Sequence, residues 1–453
     1  LSRIQLDPEQ IEAVNRAINE PTRAVLNASQ YGTGKTVVTV EVGQGVAPDG
    51  IKLIVCPLMT KHSWRETILN QYPDQDVKFI NSLKSGKQAL EAMLSAVPGW
   101  YIIGREYFAT RNVSDRIAKF SPNIDFLAYD ECQKWSNHKS QGFSKMKRMK
   151  PQFKMALSAT PAGNKFTGLY AITQWLWPKF EGHASFWAWV KDWCETEEDY
   201  FAGTIVVGEA EPKGKFVKSL PCYIRLTKDF GDPVHERIVV ELSAKERKIY
   251  DQIEKTMIAW LNDNPMVIKL PIVKRLRLRQ ASLGEISYDK ASDTVYYDDN
   301  MKSTKYDALL DFIKRNEDEP MLIFTHSAKF ADVVAYQLIR DGYKALPYYG
   351  EVPETERHAI KKAFQDGDID YIVATMDTIG EGVDGLQHRA HIMVWLSRSD
   401  NGMLNEQAFR RLYRRGQTKT VISVDIVAKD TYDDGQLSTL VQRAIDMNRS
   451  LRA

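Results

Sequence analysis

Ala28-Ser29-Gln30-Tyr31-Gly32-Thr33-Gly34-Lys35-Thr36 is the stretch that decides how this chain folds. A short apolar run at 23–26 precedes it, and a segment with helical spacing, 35–42, follows. Strand, glycine turn and helix start in that order make a phosphate-binding loop, because the free amides and positive dipole end of a helix attract anions. Gly32 and Gly34, with Thr33 between them, let backbone amides come close to phosphate oxygens. Lys35 brings a point positive charge suited to β- and γ-phosphates, and the Thr36 hydroxyl can ligate magnesium. Ser29 stands in the place of the pattern's first glycine, so the match is GxGKT rather than complete.

Outward from this loop, short β-branched runs at 51–55, 101–103, 126–129 and 154–157 alternate with helix-like segments. That alternation predicts a parallel sheet with helices on both faces. The rhythm restarts at 320–325 and continues at 345–348, 371–374, 391–395 and 420–427, which predicts a second α/β lobe. A more helical, polar region lies between, holding Trp175, Trp177, Phe186, Trp187, Trp189 and Trp193. These aromatics are expected to form the core of a helical insertion rather than a base-stacking platform. Residues 200–207, with Gly203 among them, are expected to form a surface hairpin.

The run 126–129 ends in Asp130-Glu131-Cys132-Gln133. Acids at a strand end suit a hydrolytic magnesium site: Asp130 would hold the metal, and Glu131 would orient and deprotonate a water. Two adjacent acids also fit a solvated turn, and it is their place after a phosphate loop that favours chemistry. Leu157-Ser158-Ala159-Thr160-Pro161 ends the next strand, with hydroxyls able to bridge the nucleotide site to whatever else the protein holds; a strand stopped by Pro161 is the plainer alternative. In the second lobe, Gln407 to Gln417 carries arginines at helical spacing. Arg411 and Arg414 would share one helix face and reach a γ-phosphate, although a lone arginine-rich face is commonly solvated surface.

The formal net charge of +2 is too small to argue for or against nucleic acid. Four cysteines, Cys56, Cys132, Cys194 and Cys222, lack zinc or disulfide spacing and fit a reducing cytoplasm. No run reaches the ~18 apolar residues of a membrane span, and no secretion leader is read over 1–10. The basic clusters 145–154 and 274–279 are expected to be solvated surface, with DNA contact as the alternative. His326, His388 and His391 show no metal spacing.

In order and spacing, these segments resemble the Swi/Snf-type family of helicase superfamily two, over nearly the whole chain. Leu6 and Gln10 resemble its upstream adenine-reading motif, and Cys56-Pro57-Leu58 through Trp64 and Glu66 its motif Ia. Thr160 to Asn164, followed by Leu169 and Tyr170, resemble the motif III extension, and Phe180, Phe186 and Trp189 fall where the family places hydrophobic positions after it. Arg225, Lys228, Leu242-Ser243, Tyr250, Gln280 and Lys305 look like inter-lobe landmarks. Phe324-Thr325 resembles motif IV, Ala374-Thr375 with Gly380 to Leu386 motif V, and Arg414-Arg415-Gly416-Gln417 motif VI.

The resemblance implies two RecA-like parallel-sheet lobes with helical insertions: 1–230, with its insertion at about 165–220, and 231–453, with its insertion at about 243–300. It implies ATP and magnesium as cofactors, hydrolysis in a cleft between lobes, and translocation on or remodelling of double-stranded DNA held mostly by its phosphates. A strand-separating, annealing or branch-migrating helicase remains an alternative, as does a nucleotide-binding scaffold with an uncoupled motor. Carried over by residue, Gln10, Gly382 and Asp384 join the nucleotide contacts. Gln133, Ser158, Thr160 and Gln407 would couple hydrolysis to motion. Pro57, Lys61, Arg105, Thr325, His326 and Thr375 would hold DNA. A monomeric, cytoplasmic minimal motor of bacterial or phage type is expected, with no recruiting partner identifiable. Three departures stand out: Ser29 and Gln30 replace acids, Gln133 replaces the usual histidine, and Leu396 to Asn401 replaces Trp-Asn-Pro.

Overall fold

The structure, a computed structural model, describes residues 3–451 apart from 164, 179–182, 184, 200–202, 229–230, 262–263, 269 and 380–384. Expectations for Asn164, Phe180, Gly382 and Asp384 therefore lie outside the described residues. The chain divides into two compact units, Leu1–Lys228 with Ala444–Ala453, and Asp229–Arg443. The last ten residues thus group with the first unit, not with the range 231–453 drawn from sequence. One bond that ties them there runs from the Tyr223 hydroxyl to the Leu451 carbonyl, at 2.8 Å.

In the first unit the strands are β1 (Ala24–Asn27), β2 (Ile51–Cys56), β3 (Val77–Ile80), β4 (Gly99–Gly104), β5 (Phe126–Tyr129) and β6 (Phe153–Leu157), then a hairpin of β7 (Cys194–Asp199) and β8 (Gly203–Glu209), and β9 (Tyr223–Ile224). Seven of these form a parallel sheet in the order β3-β4-β2-β5-β6-β1-β9. Strands β1, β2 and β5 are buried at every position. A parallel sheet covered on both faces demands continuous apolar runs, which is why these strands are legible in the sequence. The helix Lys35–Val46 lies on this sheet through Gly43, where an added Cβ would sit 2.6 Å from Trp100 and 3.0 Å from Phe126.

The insertion before β9 is helical over Gly168–Leu176, Phe186–Trp193 and Lys215–Ser219, with the β7–β8 hairpin between. Its aromatics form a core as expected: Trp175 and Trp189 are buried, and Trp189 packs on Phe166 and Phe216. Trp187 departs from this, being 54% exposed.

In the second unit β10 (Val234–Val240) is followed by two hairpins, β11 (Ile258–Leu261) with β12 (Asn264–Val267) and β13 (Ser287–Asp289) with β14 (Thr294–Tyr296). Then come β15 (Met321–Thr325), β16 (Ala345–Tyr348), β17 (Tyr371–Thr375), β18 (Ile392–Trp395) and β19 (Ile422–Ala428). The parallel sheet runs β10-β19-β18-β15-β17-β16. All four cysteines are free and buried. Among the described residues no helix is long and apolar enough to cross a membrane.

Candidate functional site

Strand β1 delivers the phosphate loop to the carboxyl end of the first sheet, where open α/β sheets bind ligands. Gly32 and Gly34 hold φ of 75° and 80°, left-handed values that favour glycine. At Gly34 a Cβ would also lie 2.4 Å from Gln10 Nε2. Gln10 is buried and braces the loop: its Nε2 donates to the Thr33 carbonyl at 2.8 Å, and its Oε1 accepts the Asp7 amide at 2.8 Å. One amide hydrogen and one lone pair of that side chain remain for a base edge. Lys35 Nζ donates to the carbonyls of Ser29 (2.8 Å) and Gln30 (3.0 Å), folded over the loop. Thr36 follows it in the first turn of the helix Lys35–Val46.

Ser29 and Gln30, the departures from the acidic family pattern, join this loop to the strand that leaves the unit. The Ala28 amide donates to Ile224 O at 2.7 Å and the Gln30 amide to Leu226 O at 2.9 Å. The Leu226 amide donates to Ser29 Oγ at 2.9 Å. A buried serine hydroxyl accepts here without the desolvation penalty of a carboxylate.

The acid pair leaves the end of β5. Asp130 Oδ2 accepts the Trp64 indole N–H at 3.0 Å, and Oδ1 accepts the Glu131 amide at 3.0 Å. Burial, then the neighbouring Glu131 charge, push the Asp130 carboxyl up from its ordinary range; the Trp64 donor and the Lys35 ammonium offset part of this. Glu131 adopts φ of 52°, a left-handed conformation that costs a non-glycine residue roughly 1–2 kcal/mol. This reversal leads into the short turn Cys132–Trp135. Gln133 Nε2 donates to a Glu131 carboxylate oxygen, while Gln133 Oε1 is buried with no partner among the described residues. On the next strand end, Ser158 Oγ accepts the Thr160 amide at 2.9 Å, and Thr160 Oγ1 is likewise buried without a partner among the described residues.

These groups fit magnesium with a nucleotide. No cluster of three acidic, histidine or cysteine ligands occurs among the described residues. Magnesium needs no such cage: one or two carboxylates suffice when phosphates and waters complete its oxygen shell. Asp130 with Thr36 supplies that donor set, and two partly buried carboxylates side by side favour a cation.

The proposed DNA-contact residues of the first unit occupy two helix starts. Pro57 precedes the turn Leu58–Thr60, and Lys61 opens the helix Lys61–Gln71. Arg105 opens the turn Arg105–Phe108 and pairs with Glu106 at 2.8 Å.

In the second unit Thr325 is buried and its hydroxyl lies 3.3 Å from Ser397 Oγ. His326 Nδ1 meets the same hydroxyl at 2.7 Å. Burial, then Arg279 and Lys305, hold the His326 ring well below the usual imidazole range. Thr375 Oγ1 lies 3.0 Å from Thr378 Oγ1. Gln407 is buried on the helix Gly402–Phe409, with Oε1 lacking a partner among the described residues.

That helix ends at Phe409, which corrects the reading of Arg411 and Arg414 as neighbours on one helix face. Beyond it the chain tightens into turns: the Arg411 amide bonds to Ala408 O and the Leu412 amide to Phe409 O. Leu412 is fully buried, and Gly416 holds φ of 92° against His388. Burial of Leu412 and the left-handed glycine override the helical spacing of the arginines. The basic cluster at 274–279 is also tied down, since Arg275 and Arg279 pair with Asp400 at 2.8 and 3.1 Å. In the other cluster, Arg148 pairs with Asp115 and Lys154 donates to Trp175 O.

Sequence reasoning placed Trp64 in a motif without seeing its bond to Asp130. The two are 66 residues apart, and the packing of the helix Lys61–Gln71 against β3 and β4 brings them together.

Comparison with known proteins adds a family. The SNF2-related domain matches residues 19–283, and the helicase conserved C-terminal domain matches 304–416. Similar proteins include the ATP-dependent DNA helicase DDM1 of Arabidopsis thaliana, 24% identical over 87% of this chain and 55% of that protein. The ATP-dependent helicase FUN30 of Saccharomyces cerevisiae is 23% identical over 90% of this chain and 43% of its own length. The chain spans about half the length of these curated relatives. A solved structure, the Sulfolobus solfataricus SWI2/SNF2 ATPase core in complex with dsDNA, is 18% identical, covers 99% of this chain and 93% of that one, and has a TM-score of 0.43. Because the SNF2-related domain spans more than half of its length and the helicase C-terminal domain follows it, the chain belongs to the SNF2-related family.

Proposed function

We propose that this chain is a DNA-dependent ATPase that translocates on or remodels double-stranded DNA. The observation that carries the reading is the convergence, at the ends of β1, β5 and β6, of the phosphate loop, Asp130 with Glu131, and the hydroxyls of Ser158 and Thr160. On nucleotide binding Lys35 exchanges the Ser29 and Gln30 carbonyls for phosphate oxygens, beside the amides of Gly32 to Thr36. Asp130 and Thr36 would hold magnesium, which would supply charge neutralisation on the phosphates. Glu131 takes the proton of the attacking water as its oxygen bonds to the γ-phosphorus and the bond to ADP breaks. Gln133 orients that carboxylate.

Arg411, Arg414, Gly382 and Asp384 are assigned to the nucleotide by family resemblance, and Gln133, Ser158, Thr160 and Gln407 to coupling. Pro57, Lys61, Arg105, Thr325, His326 and Thr375 are assigned to the DNA backbone. Thr325 is confined to a main-chain contact, because its hydroxyl is buried against Ser397. Phosphate contacts of this kind give weak sequence preference and strong salt dependence. The relatives' names, which include an ATP-dependent DNA helicase, support the reading. The motor acts as a monomer in the cytoplasm, in this proposal.

ATP hydrolysis measured with duplex, single-stranded and forked DNA tests it. Duplex should stimulate at least as strongly as the others. Stimulation by single strands alone favours strand separation instead, and nucleotide binding without turnover favours an uncoupled scaffold.

A further inference from the structure

One helix, Lys61–Gln71, touches the Asp130 carboxylate at one end and the helix that follows the phosphate loop at the other. Near its start Trp64 is 2% exposed, and its indole N–H donates to Asp130 Oδ2 at 3.0 Å. The Glu131 amide fixes the other oxygen, so each oxygen of this carboxylate has one protein donor and its rotation is stopped. At the far end Gln71 Nε2 donates to Glu41 Oε1 at 2.7 Å, and the Tyr72 hydroxyl donates to Glu41 Oε2 at 2.7 Å. Glu41 lies on the helix that begins at Lys35. Gln71 also exchanges two bonds with the Ile4 backbone, at 2.6 and 3.1 Å.

The same helix begins directly after the segment Pro57 to Lys61. There Leu58 is 52% exposed, Thr60 Oγ1 donates to Pro57 O at 3.0 Å, and Lys61 and Arg65 both lie over the Phe79 ring. Eleven helical residues form a stiff bar about 16 Å long. A shift at its start moves the buried indole with it, because close-packed interiors transmit displacement. A hydrogen bond of 3.0 Å tolerates only about half an ångström of such movement.

We propose that this helix carries the state of a nucleic-acid backbone at Pro57 to Lys61 into the ATP site, with Trp64 as the positioning residue of the Asp130 carboxylate. The inference rests on the functional reading above and deepens it by naming the element that couples track to hydrolysis. A bound backbone fixes the start of the helix, the indole holds Asp130 in its metal-ready orientation, and Glu41 holds the phosphate-loop helix in register with it.

Trp64→Phe keeps a ring and removes the N–H. Two measurements read it: the magnesium dependence of binding a fluorescent ATP analogue without DNA, and the ratio of DNA-stimulated to basal phosphate release. The magnesium concentration for half-saturation should rise about fivefold or more, and the stimulation ratio should fall by a similar factor, as expected on losing a charge-assisted bond. Duplex affinity should stay within about twofold, since no DNA contact is removed. Tyr72→Phe, at a less buried position, should lower the stimulation ratio and leave the magnesium dependence unchanged.

A folded Trp64→Phe protein with wild-type magnesium dependence and wild-type stimulation overturns the proposal. If Trp64→Phe does not fold, full stimulation in Tyr72→Phe overturns it. Should the wild-type chain show no DNA stimulation at all, the functional reading fails and the coupling inference with it. The magnesium titration still decides the positioning role of Trp64 in that case: an unchanged half-saturation refutes it and a raised one upholds it.

Discussion

Gln133 stands where the family resemblance leads one to expect histidine, and its geometry shows what an amide does there. It donates to the Glu131 carboxylate through Nε2 and leaves Oε1 buried without a partner among the described residues. Losing that donor frees the proposed general base without touching the phosphate loop. Gln133→Ala should therefore lower kcat by about tenfold while nucleotide affinity stays within about twofold, read by steady-state kinetics and equilibrium titration. An equal loss in both would point to collapse of the loop instead. His326 makes a prediction about pH. Burial, then Arg279 and Lys305, hold its ring well below the usual imidazole range, so as pH falls through that range the unfolded chain binds a proton that the folded chain resists. The associated stability is present at neutral pH and lost as pH falls, by about 1.4 kcal/mol per pH unit for each whole proton. His326→Asn should flatten the fall in denaturant midpoint between about pH 7 and pH 5; an unchanged slope would remove His326 as its source.

Among the elements, the helix Lys35–Val46 carries glycine where helix propensity disfavours it. Gly43 is there because Trp100 and Phe126 occupy the space a Cβ would need, at 2.6 and 3.0 Å. Gly43→Ala gains at most about 1 kcal/mol of helix propensity and loses roughly 1–3 kcal/mol to overpacking. Net destabilisation is expected, measured by chemical unfolding, and a stabilised variant would contradict the packing account. The same helix shows what sequence reveals and what it hides. Its start is legible because Gly34, Lys35 and Thr36 have no other economical explanation after an apolar strand. Buried strands such as β2 and β5 are legible as continuous apolar runs. Strand β3 lies at the sheet edge with three of its four residues only partly buried, so Val77 to Ile80 carries no such pattern. The turn after Phe409 is obscured for a different reason. Its arginines keep helical spacing while Leu412 and Gly416, which set the path, are single residues inside a polar run.

Over the whole molecule, two parallel sheets follow from two repeats of one alternating pattern, and both are present. The insertions are less legible than the sheets: each mixes helices with hairpins, and hairpins built from strands such as Cys194–Asp199 are too exposed to alternate clearly. The placement of Lys35 at a helix start after β1, and of Asp130 and Glu131 at the end of β5, was readable from the sequence. The tethers that orient them, Trp64 to Asp130 and Ser29 to Leu226, were not, because they join positions 66 and 197 residues apart. Lys35, Asp130 and Glu131 are proposed to hydrolyse ATP in response to duplex DNA. Phosphate release with duplex, compared among wild type, Lys35→Ala and Glu131→Gln, addresses this most directly. The account predicts that both variants lose more than about 100-fold in turnover, with nucleotide binding lost in Lys35→Ala and retained in Glu131→Gln. Wild-type turnover in Glu131→Gln would contradict it.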